Sequence, residues 1–158
     1  MVTSAHLMAG VVIGTFIRDP VKVMVLSFLL HYVMDFIPHR AQRPIQSVKD
    51  KGIKGLRGQS KRELAIKSLE PLLGNFVVWS YLAFADPTLR ATIFLGGFFG
   101  WFPDLFVFLE WRWGFPRPWP FGILEKKFHK HRSDFWGIAP QIVVIIICAA
   151  LMVMHLYK

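Results

Sequence analysis

Residues 21–39 read VKVMVLSFLLHYVMDFIPH, an apolar run that closes on two histidines, an aspartate and a proline. Coiled as a helix, about 17–25 such residues cross a hydrocarbon core of about 30 Å. Pro38 ends the pattern, because proline disfavours helical backbone in the residue before it. His31, Asp35 and His39 fall at i, i+4 and i+8. Each step of four turns a helix by only about 40°, so all three are expected on one face. An ionisable residue inside an apolar helix is costly and marks a functional site whose partner must be sought. Two imidazoles and a carboxylate on one stripe form the donor set of a zinc or similar divalent site.

Composition extends this reading to the whole chain. It has 158 residues, 54% hydrophobic and 15% aromatic, with a mean hydropathy of +0.42. Soluble domains contain roughly 45–50% apolar residues. The excess is gathered into blocks at residues 5–17, 21–37, 60–85, 89–111 and 137–157. The expected fold is therefore all-α, a polytopic membrane helical bundle of about five spans in one domain, residues 1–158. The first block is too short to cross untilted and reads as a half-inserted or locally thinning helix. Its Gly10 and Gly14 have the small-xxx-small spacing that admits a close neighbour, although membrane helices also tolerate small residues without that role. Arg18-Asp19-Pro20 and Asp86-Pro87 read as turns, Ser60 with Glu63 as a capping box, and Pro71 as a kink. No positive n-region precedes the first block, so a cleavable signal peptide is not expected. The single cysteine, Cys148, lies within the last block and is expected to pack or to face lipid.

The net charge is +9. In a soluble protein that would point to nucleic acid. Here the basic residues lie between apolar blocks, so anionic lipid headgroups are the expected partner and nucleic acid is not. Residues 38–62 and 112–136 hold 14 of the 19 Lys and Arg residues. The positive-inside rule puts both loops in the cytoplasm, giving a multi-pass protein of the inner membrane, N-terminus inside and C-terminus outside. His6, His31, Asp35, His39, Asp104, His129 and His131 then gather at the cytoplasmic face. The topology used only Lys and Arg, so this clustering is independent support for a site.

Other readings of single residues stay open. His6 can be a solvated terminal residue, Asp35 can pair with Arg40, and Asp104 can pair with a basic residue of its own side. His129 and His131, two apart, cannot share a helical face. His155 reads as an interfacial residue without a role. Trp111, Trp113, Trp119 and Trp136 read as an interfacial aromatic belt.

The stretches AHLMAGVVIG, HYVMDFIPHR, GGFFGWFPDLF and FHKH followed by GIAPQI, taken in order, cover most of the chain. Together they resemble a group of small, uncharacterised bacterial integral membrane proteins with a His-x3-Asp-x2-Pro-His block. More distantly, the pattern is similar to membrane-bound metal-dependent hydrolases and to zinc-dependent phospholipase C. The resemblance implies His6, His31, Asp35, His39, Asp104 and His129 as metal ligands. The group tends to space its late histidines by four, whereas here His129 and His131 are two apart, which leaves open which one takes part.

A divalent ion with an open position lowers the pKa of bound water to about 7 and polarises a phosphoryl oxygen. Six N/O donors suit one or two ions, most simply zinc, with Asp104 and Asp35 as the catalytic carboxylates. The function expected is a metal-dependent hydrolase acting on a lipid phosphoester at the cytoplasmic face. The alternatives are a non-catalytic membrane protein with a structural metal site and a divalent-cation or proton transporter. A transporter needs polar residues through the full depth, and the outer halves of the spans read as apolar apart from Asn75 and Ser80.

Overall fold

The computed structural model describes residues 3–39, 61–113, 115–116, 118–119, 123–124 and 135–157. The basic segment 40–60, Ser60 of the proposed capping box, Lys126, His129, His131 and Lys158 lie outside them. Five α-helices are described: α1 (Thr3–Phe16), α2 (Pro20–Phe36), α3 (Lys61–Phe84), α4 (Arg90–Trp113) and α5 (Ala139–Leu156). The chain is thus all-α among the described residues, with the helices where the apolar blocks fall. Helix α3 continues through Pro71 and α4 through Pro103.

Both short turns use the same device. Asp19 accepts hydrogen bonds from the backbone N–H groups of Val21 and Lys22, with Pro20 opening α2. Asp86 accepts from the backbone N–H and hydroxyl of Thr88, with Pro87 opening a single 3-10 turn. In each case an aspartate satisfies donors that the helix start leaves orphaned, and proline occupies a position that needs no donor. The Thr88 N–H, and then its hydroxyl, hold the Asp86 carboxyl below the usual carboxylate range.

The shortest helix is the centre of the fold. Helix α1 packs against α2, α3, α4 and α5. Its close partner is α4. A Cβ on Gly10 would meet the Gly96 carbonyl, and one on Gly14 the Thr92 carbonyl. A Cβ on Gly96 would meet the Gly10 carbonyl. Backbone therefore lies on backbone along this antiparallel seam. Helix α1, though the shortest, contacts all four other helices. Ser4 beside Gly74 and Thr15 bonded to Tyr81 set α3 parallel to α1, and Phe16 against His155 does the same for α5. The helices alternate in direction, and both long connections begin and end at the end that holds His6 and His39.

Large apolar side chains line the outside of the bundle, and polar groups lie inside it among apolar ones. Helix α2 turns Val23, Ser27, His31 and Asp35 inward and leaves Val21, Val25, Leu29, Val33 and Phe36 exposed. Helices α3 and α5 expose Leu72, Leu73, Phe76, Trp79, Ile142, Ile146 and Ile147. The interior holds Ala5, Met8, Val11, Val78, Ile93 and Cys148, together with Ser4, Thr15, Thr92 and Gln141. Among the described residues, one helix, Ala139–Leu156, is long and apolar enough to cross a membrane, and Thr3–Phe16 and Leu72–Phe84 are shorter apolar helices. The hydroxyls of Thr15, Ser27, Tyr81 and Thr92 are all buried, so the far half of the interior is more polar than Asn75 and Ser80 alone implied.

Candidate metal centre

Three elements meet at the end of the bundle from which the long connections leave. Helix α1 brings His6 from its first turns, α2 brings His31 and Asp35 from its last two, and α4 brings Asp104 from beside Pro103. His39 arrives differently. Helix α2 ends at Phe36, and Ile37 is extended, with φ −69° and ψ 124°, as the residue before a proline prefers. His39 therefore does not share the helical stripe expected from its spacing. It reaches the same place through the Pro38 turn, with its Nδ1–H donated to the Ile37 carbonyl at 2.9 Å.

Asp35 is the hub. Its Oδ1 lies 3.2 Å from His6 Nε2 and 3.8 Å from His39 Nε2, and its Oδ2 lies 3.4 Å from His31 Nε2. His31 Nε2 is also 3.9 Å from Asp104 Oδ1. The His6 and His31 rings stack with centroids 4.0 Å apart. His6, His31, Asp35 and His39 are all buried, whereas the Asp104 side chain is 27% exposed.

The tautomers follow from the backbone partners. His31 Nδ1 sits 2.8 Å from the Gly100 carbonyl. A carbonyl only accepts, so Nδ1 carries the hydrogen, and in the neutral ring Nε2 is a bare lone pair. The same reasoning applies to His39. Both Nε2 atoms face carboxylate oxygens, a contact satisfied by a proton on Nε2 or by a cation held between the two groups. Imidazoles whose Nδ1–H is tied to a backbone carbonyl and whose Nε2 faces the site are oriented as metal ligands are. Two further buried atoms, His6 Nδ1 and Asp104 Oδ2, have no hydrogen-bond partner.

The dimensions fit an ion. Donors about 2.1 Å from a tetrahedral centre stand about 3.4 Å from one another, and the four separations above run from 3.2 to 3.9 Å. Donor atoms of His6, His31 and Asp104 lie within 4.8 Å of one another and can hold a metal ion.

Five of the residues expected at the site, His6, His31, Asp35, His39 and Asp104, stand together, and His129 lies outside the described residues. Among the described residues, Asp104 pairs with His31. His155 stands at the opposite end against Phe16. Sequence reasoning missed Gly100, whose carbonyl orients His31 and whose lack of a Cβ admits the His6 backbone. The available signal was Gly96-xxx-Gly100, three residues before a helix-interior proline. No protein-family model, curated protein or solved structure matches this chain.

Proposed function

We propose that the chain is a polytopic bundle of the inner membrane that hydrolyses a lipid phosphoester with a divalent metal, zinc in the simplest case, at its cytoplasmic face. The exposed apolar side chains on α2, α3 and α5 support the membrane reading, since they suit lipid and would be a liability in water. Buried polar groups inside such a bundle are the usual mark of a functional site. The alternating helix directions put the His/Asp cluster at the end from which the two basic connections leave, the cytoplasmic end by the positive-inside rule. The basic connections then attract an anionic lipid headgroup to the cluster.

The observation that carries the hydrolase reading is Asp104. It is the half-open member of an otherwise buried set, and its Oδ2 has no partner. A structural clip closes all its positions with protein donors, whereas a catalytic centre keeps one for water. The ion supplies an acidified water and a polarised phosphoryl oxygen. Asp35 holds three imidazoles in place, and Asp104, the partly exposed carboxylate of the set, would accept the proton from that water.

The test is a screen of phospholipids and polyprenyl phosphates with metal-loaded protein in detergent. The expected result is phosphoester turnover that Asp104→Asn abolishes while bound metal persists. Metal-loaded protein without turnover, together with an experimental structure in which protein donors fill every metal position, would decide for a structural clip.

A further inference from the structure

We infer that the groove between α3 and α4 seats the hydrocarbon chain of the substrate, with its phosphate at the metal centre beside Asp104. This rests on the lipid phosphoester reading above and deepens it. Helix α2 packs along α4, whereas α3 and α4 both lie on α1 and touch each other little. At the far end, the gap between them opens into a cleft of about 490 Å³, walled by Trp79, Leu82 and Ala83 of α3 and by Ala91 and Phe94 of α4. Arg90 closes that end, its guanidinium donating to the carbonyls of Ala83 and Ala85. On α4, Arg90, Phe94, Gly97, Trp101 and Asp104 fall at i, i+4, i+7, i+11 and i+14, which is one helical face. The face that borders the cleft therefore carries Asp104 at its other end, about 21 Å along the axis. Between the two ends Gly97 has no side chain, and Val11 and Leu7 of α1 lie against it as a floor. Leu72 and Trp79, seven apart on the facing side of α3, and Phe94 opposite are each more than half exposed.

A convex apolar face merely meets lipid, but this one is recessed. Ala83, Ala91 and Gly97 keep it low between larger neighbours, and the cleft has the volume of an ordinary ligand pocket, about 300–1,000 Å³. The groove is apolar along its length and ends at the partly exposed carboxylate of the metal centre. That is the order of parts in a lipid phosphoester, chain and then phosphate. Its span is about two-thirds of a hydrocarbon core about 30 Å thick, so a long chain reaches the cleft while its phosphate stands at the centre. The metal ion takes up the charge of the phosphate. Binding energy gathered along the chain, remote from the reacting bond, then orients the phosphate.

The experiment uses the full chain, metal-loaded, in nanodiscs of unlabelled phospholipid. The probe is hexadecyl phosphate with bromine at its chain end, a contact quencher of tryptophan fluorescence. Quenching should saturate, and unbrominated hexadecyl phosphate should reverse it. Trp79→Phe should abolish the saturable part. Ala83→Phe and Ala91→Phe, which fill the cleft from its two walls, should abolish it as well. Both alanines are exposed, so these two variants should keep the melting temperature of the unmodified protein. Quenching that grows without saturating would overturn the inference, as would a saturable part that survives Trp79→Phe or both alanine variants. Turnover of a lipid phosphoester without saturable quenching at Trp79 would remove the groove and leave the hydrolase. Saturable quenching at Trp79 without turnover would remove the hydrolase and leave the groove as a lipid phosphate site.

Discussion

Gly100→Ala changes no candidate ligand, yet it should damage the metal centre. A Cβ at Gly100 would stand 2.6 Å from the His6 carbonyl oxygen and 3.3 Å from Gly10 Cα. Both are backbone atoms, so no rotamer change relieves the contact. Ordinary van der Waals contact for a Cβ begins at 3.4 Å, so α1 and α4 must part by about 0.8 Å at this level, against close packing. His6 rides on α1, so a shift of up to about 0.8 Å displaces it from its 3.2 Å contact with Asp35 on α2. Metal–donor distances tolerate only about 0.2 Å. Overpacking of this kind costs about 1–3 kcal/mol of stability. Loss of the supporting shell around a ligand costs about 10–100-fold in metal affinity. Competition with a chromophoric chelator reads the affinity, and thermal unfolding in detergent reads the stability. Gly97→Ala is the control, since its Cβ would make its close contacts with side chains, Val11 Cγ2 at 3.0 Å and Leu7 Cδ1 at 3.3 Å, and meet backbone only at an ordinary 3.7 Å, the Leu7 carbonyl oxygen. Unchanged metal affinity in Gly100→Ala, or an equal loss in Gly97→Ala, would refute the link between the helix seam and the site.

Further outcomes are expected. In a background lacking the buried Cys148, Lys51→Cys and Lys126→Cys should label from the cytoplasm and Lys158→Cys from outside; opposite sides for the first two would remove the five-span topology. His31→Ala and Asp35→Ala should each lower bound metal substantially, whereas His155→Ala, at the far end of the bundle, should not; full retention by the double variant would dissolve the centre as drawn. Replacing Lys49, Lys51 and Lys54 together should weaken binding to anionic vesicles by up to about 1 kcal/mol per charge, and less at high salt; vesicle flotation at two ionic strengths measures it. The lowered pKa of Asp86 means that its contribution to stability is present above the usual carboxylate range and is lost as pH falls through the lowered value. Asp86→Asn should therefore reduce the melting temperature at pH 7 and converge on the unmodified protein in strong acid.

Local and periodic signals made much of this protein legible before any coordinates. Apolar blocks bounded by Asp-Pro turns set out five helices, because both helix periodicity and proline's missing donor act within a few residues. Asp104 beside Pro103 and the i, i+4 pair His31 and Asp35 stood out because charge in an apolar run is costly wherever it falls. The sequence picked out His31, Asp35 and Asp104 as candidate donors. The rest depended on contacts between distant segments. Gly10 and Gly14 allow a close approach without naming the helix that makes it, and α4 was chosen because Thr92, Gly96 and Gly100 form the complementary backbone surface. That choice turned a short first block into the central helix and carried His6 to Asp35. His39 joined through a turn rather than a helical stripe, because Pro38 ends α2 before the stripe reaches it. Periodicity can place donors on a face, but the distance between donors on different helices is set by how closely their backbones pack, and here glycines far apart in the chain set it.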